Sequence, residues 1–144
     1  MSELRARDRI AVLDDDIKFI RLVERVLHGL QIDIQPVTTP DLDEAVRVVR
    51  TTGCRAALVD LYMYGDPCGF RVVEKLRDDP ETSNLPLILT SGAHREIGRR
   101  VGFLVEHHCS VLLKPFSVED LLDRIGELPV AEPVQPELAH RLCG

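Results

Sequence analysis

Short runs of consecutive apolar residues alternate along this chain with longer stretches in which apolar residues recur every three or four positions. Ile10-Ala11-Val12-Leu13, Ala56-Ala57-Leu58-Val59, Leu87-Ile88-Leu89 and Val111-Leu112-Leu113 are uninterrupted, the pattern of strands buried on both faces. Residues 9–13, 32–37, 56–59, 85–89 and 111–113 therefore read as five strands. Between the first two, Ile17, Ile20, Val23, Leu27 and Leu30 form a helical face that Gly29 is expected to end. Thr39-Pro40-Asp41 reads as N-cap, first-turn proline and early acid of a helix through Ala45, Val46 and Val49, stopped by Gly53. The Gly- and Pro-rich loop Tyr64-Gly65-Asp66-Pro67 leads to a helix through Phe70, Val73 and Leu76, closed by Asp79-Pro80. One short helix is expected over 95–106. A last helix opens on Ser117 as N-cap, with Glu119 and Asp120 at its positive end and Leu121, Leu122 and Ile125 facing inward.

Five β-α units in succession call for a doubly wound, five-stranded parallel sheet of order 2-1-3-4-5, covered by helices on both faces. From Pro129 the composition shifts to three prolines in eight residues, an extended linker, and Leu138 and Leu142 beyond it are read as part of a frayed tail. The expected division is one domain over 7–128 and a Pro-rich tail over 129–144.

With 144 residues, 44% hydrophobic and 29% charged, the chain is an ordinary globular one of single-domain size. Its net charge of -6 and the lack of any Lys/Arg cluster beyond pairs such as Arg99-Arg100 argue against nucleic acid as a partner. The N-terminus is too charged for a signal peptide, and no apolar run reaches the roughly 18 residues of a membrane span. A cytoplasmic location is expected, with Cys54, Cys68, Cys109 and Cys143 as thiols. His107-His108-Cys109 is read as a surface connection, since adjacent side chains point apart and make a poor metal site.

The chemistry lies where the apolar runs stop. Asp14-Asp15-Asp16 follows the first strand, Asp60 the third, Thr90-Ser91-Gly92 the fourth and Lys114-Pro115 the fifth. In an open parallel sheet, ligands bind outside the carboxyl ends of the strands, so these residues are placed to converge. Two unit charges ~4 Å apart interact by about 4 kcal/mol at an effective dielectric near 20, so Asp14, Asp15 and Asp60 overload one ammonium. A magnesium ion would bring three carboxylates and Lys114 to neutrality, and it prefers oxygen ligands and phosphate. In this reading Asp60 is a nucleophile toward phosphorus, Asp14 and Asp15 are metal ligands, and Ser91 and Lys114 contact phosphoryl oxygens.

An acidic pair, an Asp, a Ser or Thr and a Lys-Pro after strands one, three, four and five resemble the receiver domains of two-component response regulators, here of the stand-alone, chemotaxis-regulator-like kind. The resemblance covers about residues 7–128 and implies a flavodoxin-like (βα)5 fold. Carried over by position, it implies Asp60 as phosphoacceptor, Asp14 and Asp15 as the acidic pocket, Ser91 as the switch hydroxyl and Lys114 as the phosphate-sensing lysine. It also implies Mg2+ held partly by the backbone carbonyl of Tyr62. The implied partners are a sensor histidine kinase or histidine phosphotransfer protein upstream and a protein target downstream, with homodimerisation left open and no membrane involved. Such a chain is a signalling domain rather than an enzyme, and its output is a changed interaction surface.

The chain also departs from that family. Val111 stands three before the lysine, where an aromatic switch residue is usual, and His107 stands where glycine is common. Met63-Tyr64 replaces the usual Met-Pro, and Gly69 is reached through one extra residue. Tyr62, two past Asp60, is placed to screen a phosphoryl group from water. Two other readings stay open: a haloacid-dehalogenase-like phosphatase with Asp14 as nucleophile and Asp16 as acid/base, and a receiver-shaped interaction module that does not use phosphorylation.

Overall fold

The computed structural model describes residues 8–92 and 94–127; the expected tail over 129–144 lies outside them. Five strands, β1 (Arg9–Leu13), β2 (Asp33–Val37), β3 (Ala56–Asp60), β4 (Leu87–Ser91) and β5 (Cys109–Leu113), form one parallel sheet in the order β2-β1-β3-β4-β5. The helices are α1 (Ile17–His28), α2 (Leu42–Thr51), α3 (Gly69–Asp78), α4 (His94–Arg99), α5 (Val101–Glu106) and α6 (Val118–Gly126). The expected doubly wound architecture is the one observed.

Strand alternation builds two cores. Ala11, Leu13, Ala57, Val59, Leu87 and Leu89 point to one face, where Val46 and Val49 of α2, Phe70, Val73 and Leu76 of α3, Ile97 of α4 and Leu104 of α5 cover them. Ile10, Val12, Ala56, Leu58, Ile88 and Leu112 point to the other, under Ile20, Val23 and Leu27 of α1 and Leu121 and Ile125 of α6. Burying such side chains on both faces stabilises the sheet by about 1.5 to 3 kcal/mol each. At the edge, Asp33 donates to Asp8, so the inward amides of β2 fall on odd positions, and Pro36 occupies an outward position where it leaves no N–H exposed.

Local chemistry moves several expected boundaries. Asp41, not Thr39, caps α2: its carboxylate accepts from the amides of Asp43 and Glu44, while Thr39 accepts from Asp41 one step earlier. Gly29 closes α1 in a right-handed conformation, and the left-handed residue of that turn is Gln31 at φ 60°. The single helix expected over 95–106 is two, broken at Arg100. Its guanidinium lies 3.9 Å from the centre of the Phe70 ring and 5.2 Å from that of Phe103. This packing, invisible in the helical periodicity, holds the break. β4 lies two residues later than expected and β5 begins two residues earlier, because Thr90, Ser91, Cys109 and Ser110 continue the ladder beyond the apolar runs. Ser117 caps α6 as expected, in a reciprocal box with Asp120.

His107 is not simply a surface residue. Its ring stacks on Phe103 at 4.0 Å, and its carbonyl accepts from Arg77 Nε at 2.7 Å. The left-handed position of that connection falls on His108, at φ 54°. Among the described residues no helix is long and apolar enough to cross a membrane.

Candidate functional site

The sheet register aligns Leu13 with Val59, Asp60 with Thr90, and Ser91 with Leu113, so the residues at or just past these strand ends share one rim. Lys114 Nζ lies 3.0 Å from Asp14 Oδ2 and 3.4 Å from Asp60 Oδ2, across 100 and 54 residues of sequence. Asp14 is 1% exposed and Asp60 8%. Asp15 completes the acidic group: carboxylate oxygens of Asp14, Asp15 and Asp60 lie within 4.8 Å of one another. Asp16 turns away and caps α1, accepting from the amides of Lys18 and Phe19. Asp14 Oδ1 accepts from the amide of Asp16 at 2.9 Å, so both oxygens of Asp14 are engaged.

Burial pushes the Asp60 carboxyl up to about 6, the Asp14 anion adds to the rise, and Lys114 opposes it. For Lys114, burial works against the charge, but Asp60 and then Asp14 outweigh it and hold its pKa above the ordinary lysine value. The ammonium also sits 4.4 Å from the centre of the Phe19 ring, and Phe19 meets Phe116 edge to face at 5.7 Å. Phe19 was not expected at the site. An aromatic residue in the first turn after the acidic run, matched by Phe116 after Lys114-Pro115, was the available signal.

The chain leaving Asp60 is tightly held. The Leu61 amide donates to the Thr90 carbonyl at 2.8 Å, and the Tyr62 amide donates to Asp60 Oδ1 at 3.3 Å. The Tyr62 side chain is 41% exposed beside the rim. Tyr64 donates its amide to Asp15 Oδ2 at 2.8 Å, a contact that spacing could not show. Gly69 then donates its amide to the Leu61 carbonyl at 3.0 Å as α3 begins.

Ser91 is fully buried and its carbonyl accepts from the Lys114 amide at 2.7 Å, joining the fourth and fifth strand ends. By alternation Ser91 shares the face of Leu87 and Leu89, and Thr90 that of Ile88. Both hydroxyl residues are buried, and Thr90 is the one in register with Asp60. Val111 pairs with Leu89 and packs partly buried against the same core as α3, α4 and α5.

The donor set suits a hard divalent cation. Three carboxylates offer only oxygen, the spread of their atoms fits a single ion, and three carboxylates face the one ammonium of Lys114.

Comparison with known proteins agrees with this geometry. No curated protein matches the chain. Among solved structures, a sensor protein from Polaromonas sp. JS666 is 25% identical, with a TM-score of 0.72 over 85% of this chain and 96% of that one. The chemotaxis protein CheY4 of Vibrio cholerae is 18% identical, with a TM-score of 0.70 over 86% of this chain and 100% of its own. The receiver domain of sensor histidine kinase PA1611 from Pseudomonas aeruginosa PAO1, which has a magnesium ion coordinated in its active-site cleft, is 19% identical. Its TM-score is 0.69 over 85% of this chain and 98% of that domain. The response regulator receiver domain family matches residues 10–126, and this chain, with its acids and lysine gathered at the strand ends, belongs to that family.

Proposed function

We propose that Asp60 accepts a phosphoryl group from a histidine kinase or histidine phosphotransfer protein in a Mg2+-dependent step, and that the chain signals through a changed protein-interaction surface. The observation that carries this is the ion-paired group Asp14, Asp60 and Lys114, with Asp15 beside it, at the carboxyl end of a parallel sheet. An Asp60 oxygen would form the new O–P bond as the P–N bond to the donor imidazole breaks. Lys114 Nζ is placed to pair with an incoming phosphoryl oxygen, and the Ser91 hydroxyl is proposed as a donor to another. Asp14, Asp15, Asp60 and the Tyr62 carbonyl would hold the metal. The bound Mg2+ would supply charge neutralisation for the equatorial oxygens of the transferring group.

The phosphatase reading fits less well. Asp14 is more deeply buried than Asp60, at 1% exposed against 8%, and Asp16, the acid/base of that reading, turns away to cap α1. The face of α4, β5 and α6 is the proposed output surface. A cleft of about 620 Å³ lies there between Ile97, Val111, Leu113, Asp120 and Arg124, and Leu113 and Val118 are exposed apolar residues of these elements. The test is incubation with a small phosphodonor and Mg2+, followed by intact-mass analysis. Wild type is expected to gain one phosphoryl group and Asp60→Asn none. An adduct that survives in Asp60→Asn and is lost in Asp14→Asn would favour the phosphatase, and no adduct in any form would favour a module that does not use phosphorylation.

A further inference from the structure

Between β3 and α3 the chain reverses in a two-residue turn. Tyr64 and Gly65, its central residues, both lie at positive φ, 56° and 73°, which marks a type I′ turn. Met63 and Asp66 close it with a reciprocal pair of backbone hydrogen bonds, each 3.1 Å. Glycine takes such a conformation freely, but tyrosine rarely does, so the surroundings must hold it there. They do so from two sides. Arg71 of α3 grips the Asp66 carboxylate at 2.6 Å, and the Asp66 carbonyl accepts from the Cys68 amide at 2.7 Å.

The left-handed twist has one chemical product: it directs the Tyr64 amide at Asp15 Oδ2, 2.8 Å away and 49 residues back in sequence. Asp15 is the exposed member of the acidic group, and nothing buries it into a fixed orientation as burial does Asp14 and Asp60. A carboxylate has roughly four acceptor sites, so this hydrogen bond orients the group and still leaves lone pairs for a cation.

We propose that the turn over 63–66 is a positioning element for Asp15, with the Tyr64 amide fixing this carboxylate in the orientation that completes the cation site. The inference rests on the metal reading above. It makes Tyr64 and Gly65 determinants of Mg2+ affinity through backbone geometry alone, with no contact between their side chains and the ion.

Calorimetric titration of the full chain with Mg2+ tests it. Gly65→Val disfavours the left-handed backbone and is expected to weaken Mg2+ binding about tenfold, as for loss of the hydrogen bond that orients a metal ligand. Gly65→Asn, whose side chain tolerates that conformation, is expected to bind like wild type. On an Asp15→Ala background, which has no acceptor for the Tyr64 amide, Gly65→Val should have no further effect. The inference is overturned if Gly65→Val binds Mg2+ as wild type does, or if its loss is the same with Asp15 already removed. Should Gly65→Val fail to fold, Arg71→Ala carries the same comparison through the weakened grip on Asp66. A wild-type chain that binds no Mg2+ would defeat the metal reading and this inference together, whereas a normal wild type beside an unaffected Gly65→Val would defeat the inference alone.

Discussion

Gly69, the first residue of α3, is pressed against the backbone of Asp60: a β-carbon on it would stand 2.5 Å from the Asp60 carbonyl oxygen and 2.7 Å from Leu61 Cα. Neither neighbour is a flexible side chain that could swing aside. Gly69→Ala must therefore shift α3 or the end of β3, and overpacking of this kind costs about 1 to 3 kcal/mol. The expected outcome is a lower urea midpoint together with slower phosphorylation of Asp60. A variant as stable as wild type would show that the two backbones separate freely.

Asp60 predicts an unusual dependence of stability on pH. Its carboxyl titrates near 6 in the folded chain and from an ordinary value of 3.8 otherwise, chiefly because burial disfavours the anion. A raised acid pKa means that the folded state holds the proton more tightly, so stability falls as pH rises from about 3.8 to about 6. The cost is absent below that window and complete above it. In Mg2+-free buffer above pH 6, Asp60→Asn should be more stable than wild type by about 1 to 3 kcal/mol, taking 1.36 kcal/mol per pKa unit as an upper scale. Near pH 4 the two should converge. Urea titrations at both pH values check it, and a constant difference would contradict the assignment.

Magnesium should reverse that penalty. A ligand bound by the folded chain alone adds about 2.7 kcal/mol at a hundredfold excess over its dissociation constant. Thermal unfolding of wild type at neutral pH is expected to shift upward on adding Mg2+ and to return on adding EDTA. Asp60→Asn, with one fewer carboxylate, should shift less.

Lys114 is the built-in cation of the same site. Its removal in Lys114→Met leaves Asp14, 1% exposed, without its ion pair, and a broken buried pair costs about 3 kcal/mol or more. The measured loss should be largest in EDTA and smaller in Mg2+. Equal losses in both would mean that the metal and the ammonium do not share this charge.

Tyr62 sits 41% exposed at the rim, with its amide on Asp60 Oδ1. Tyr62→Asn is expected to expose a phosphoryl group on Asp60 to water and to speed its hydrolysis severalfold, which a phosphate-release assay would show. An unchanged rate would remove Tyr62 from the site's chemistry.

Much of the architecture was legible in the chain because β1, β3 and β4 are buried on both sides and so carry uninterrupted apolar runs. The order of Asp14, Asp60, Ser91 and Lys114 behind those runs was equally plain. Boundaries set by side-chain contacts were not. Asp41 and Thr39 are both competent caps, and only the placement of the Asp43 and Glu44 amides decides between them. The break at Arg100 depends on Phe70, thirty positions earlier.

Sequence by itself determined which residues would lie at strand ends, because strand and helix periods are local and the parallel order follows from their alternation. Tertiary structure decided what those residues do to one another. The ion pairs of Lys114 with Asp14 and Asp60, the raised pKa of Asp60, and the Tyr64 amide on Asp15 all depend on separations of a few ångströms between segments remote in the chain. Coulomb and hydrogen-bond energies change steeply over such distances, and no pattern along one strand or helix encodes them.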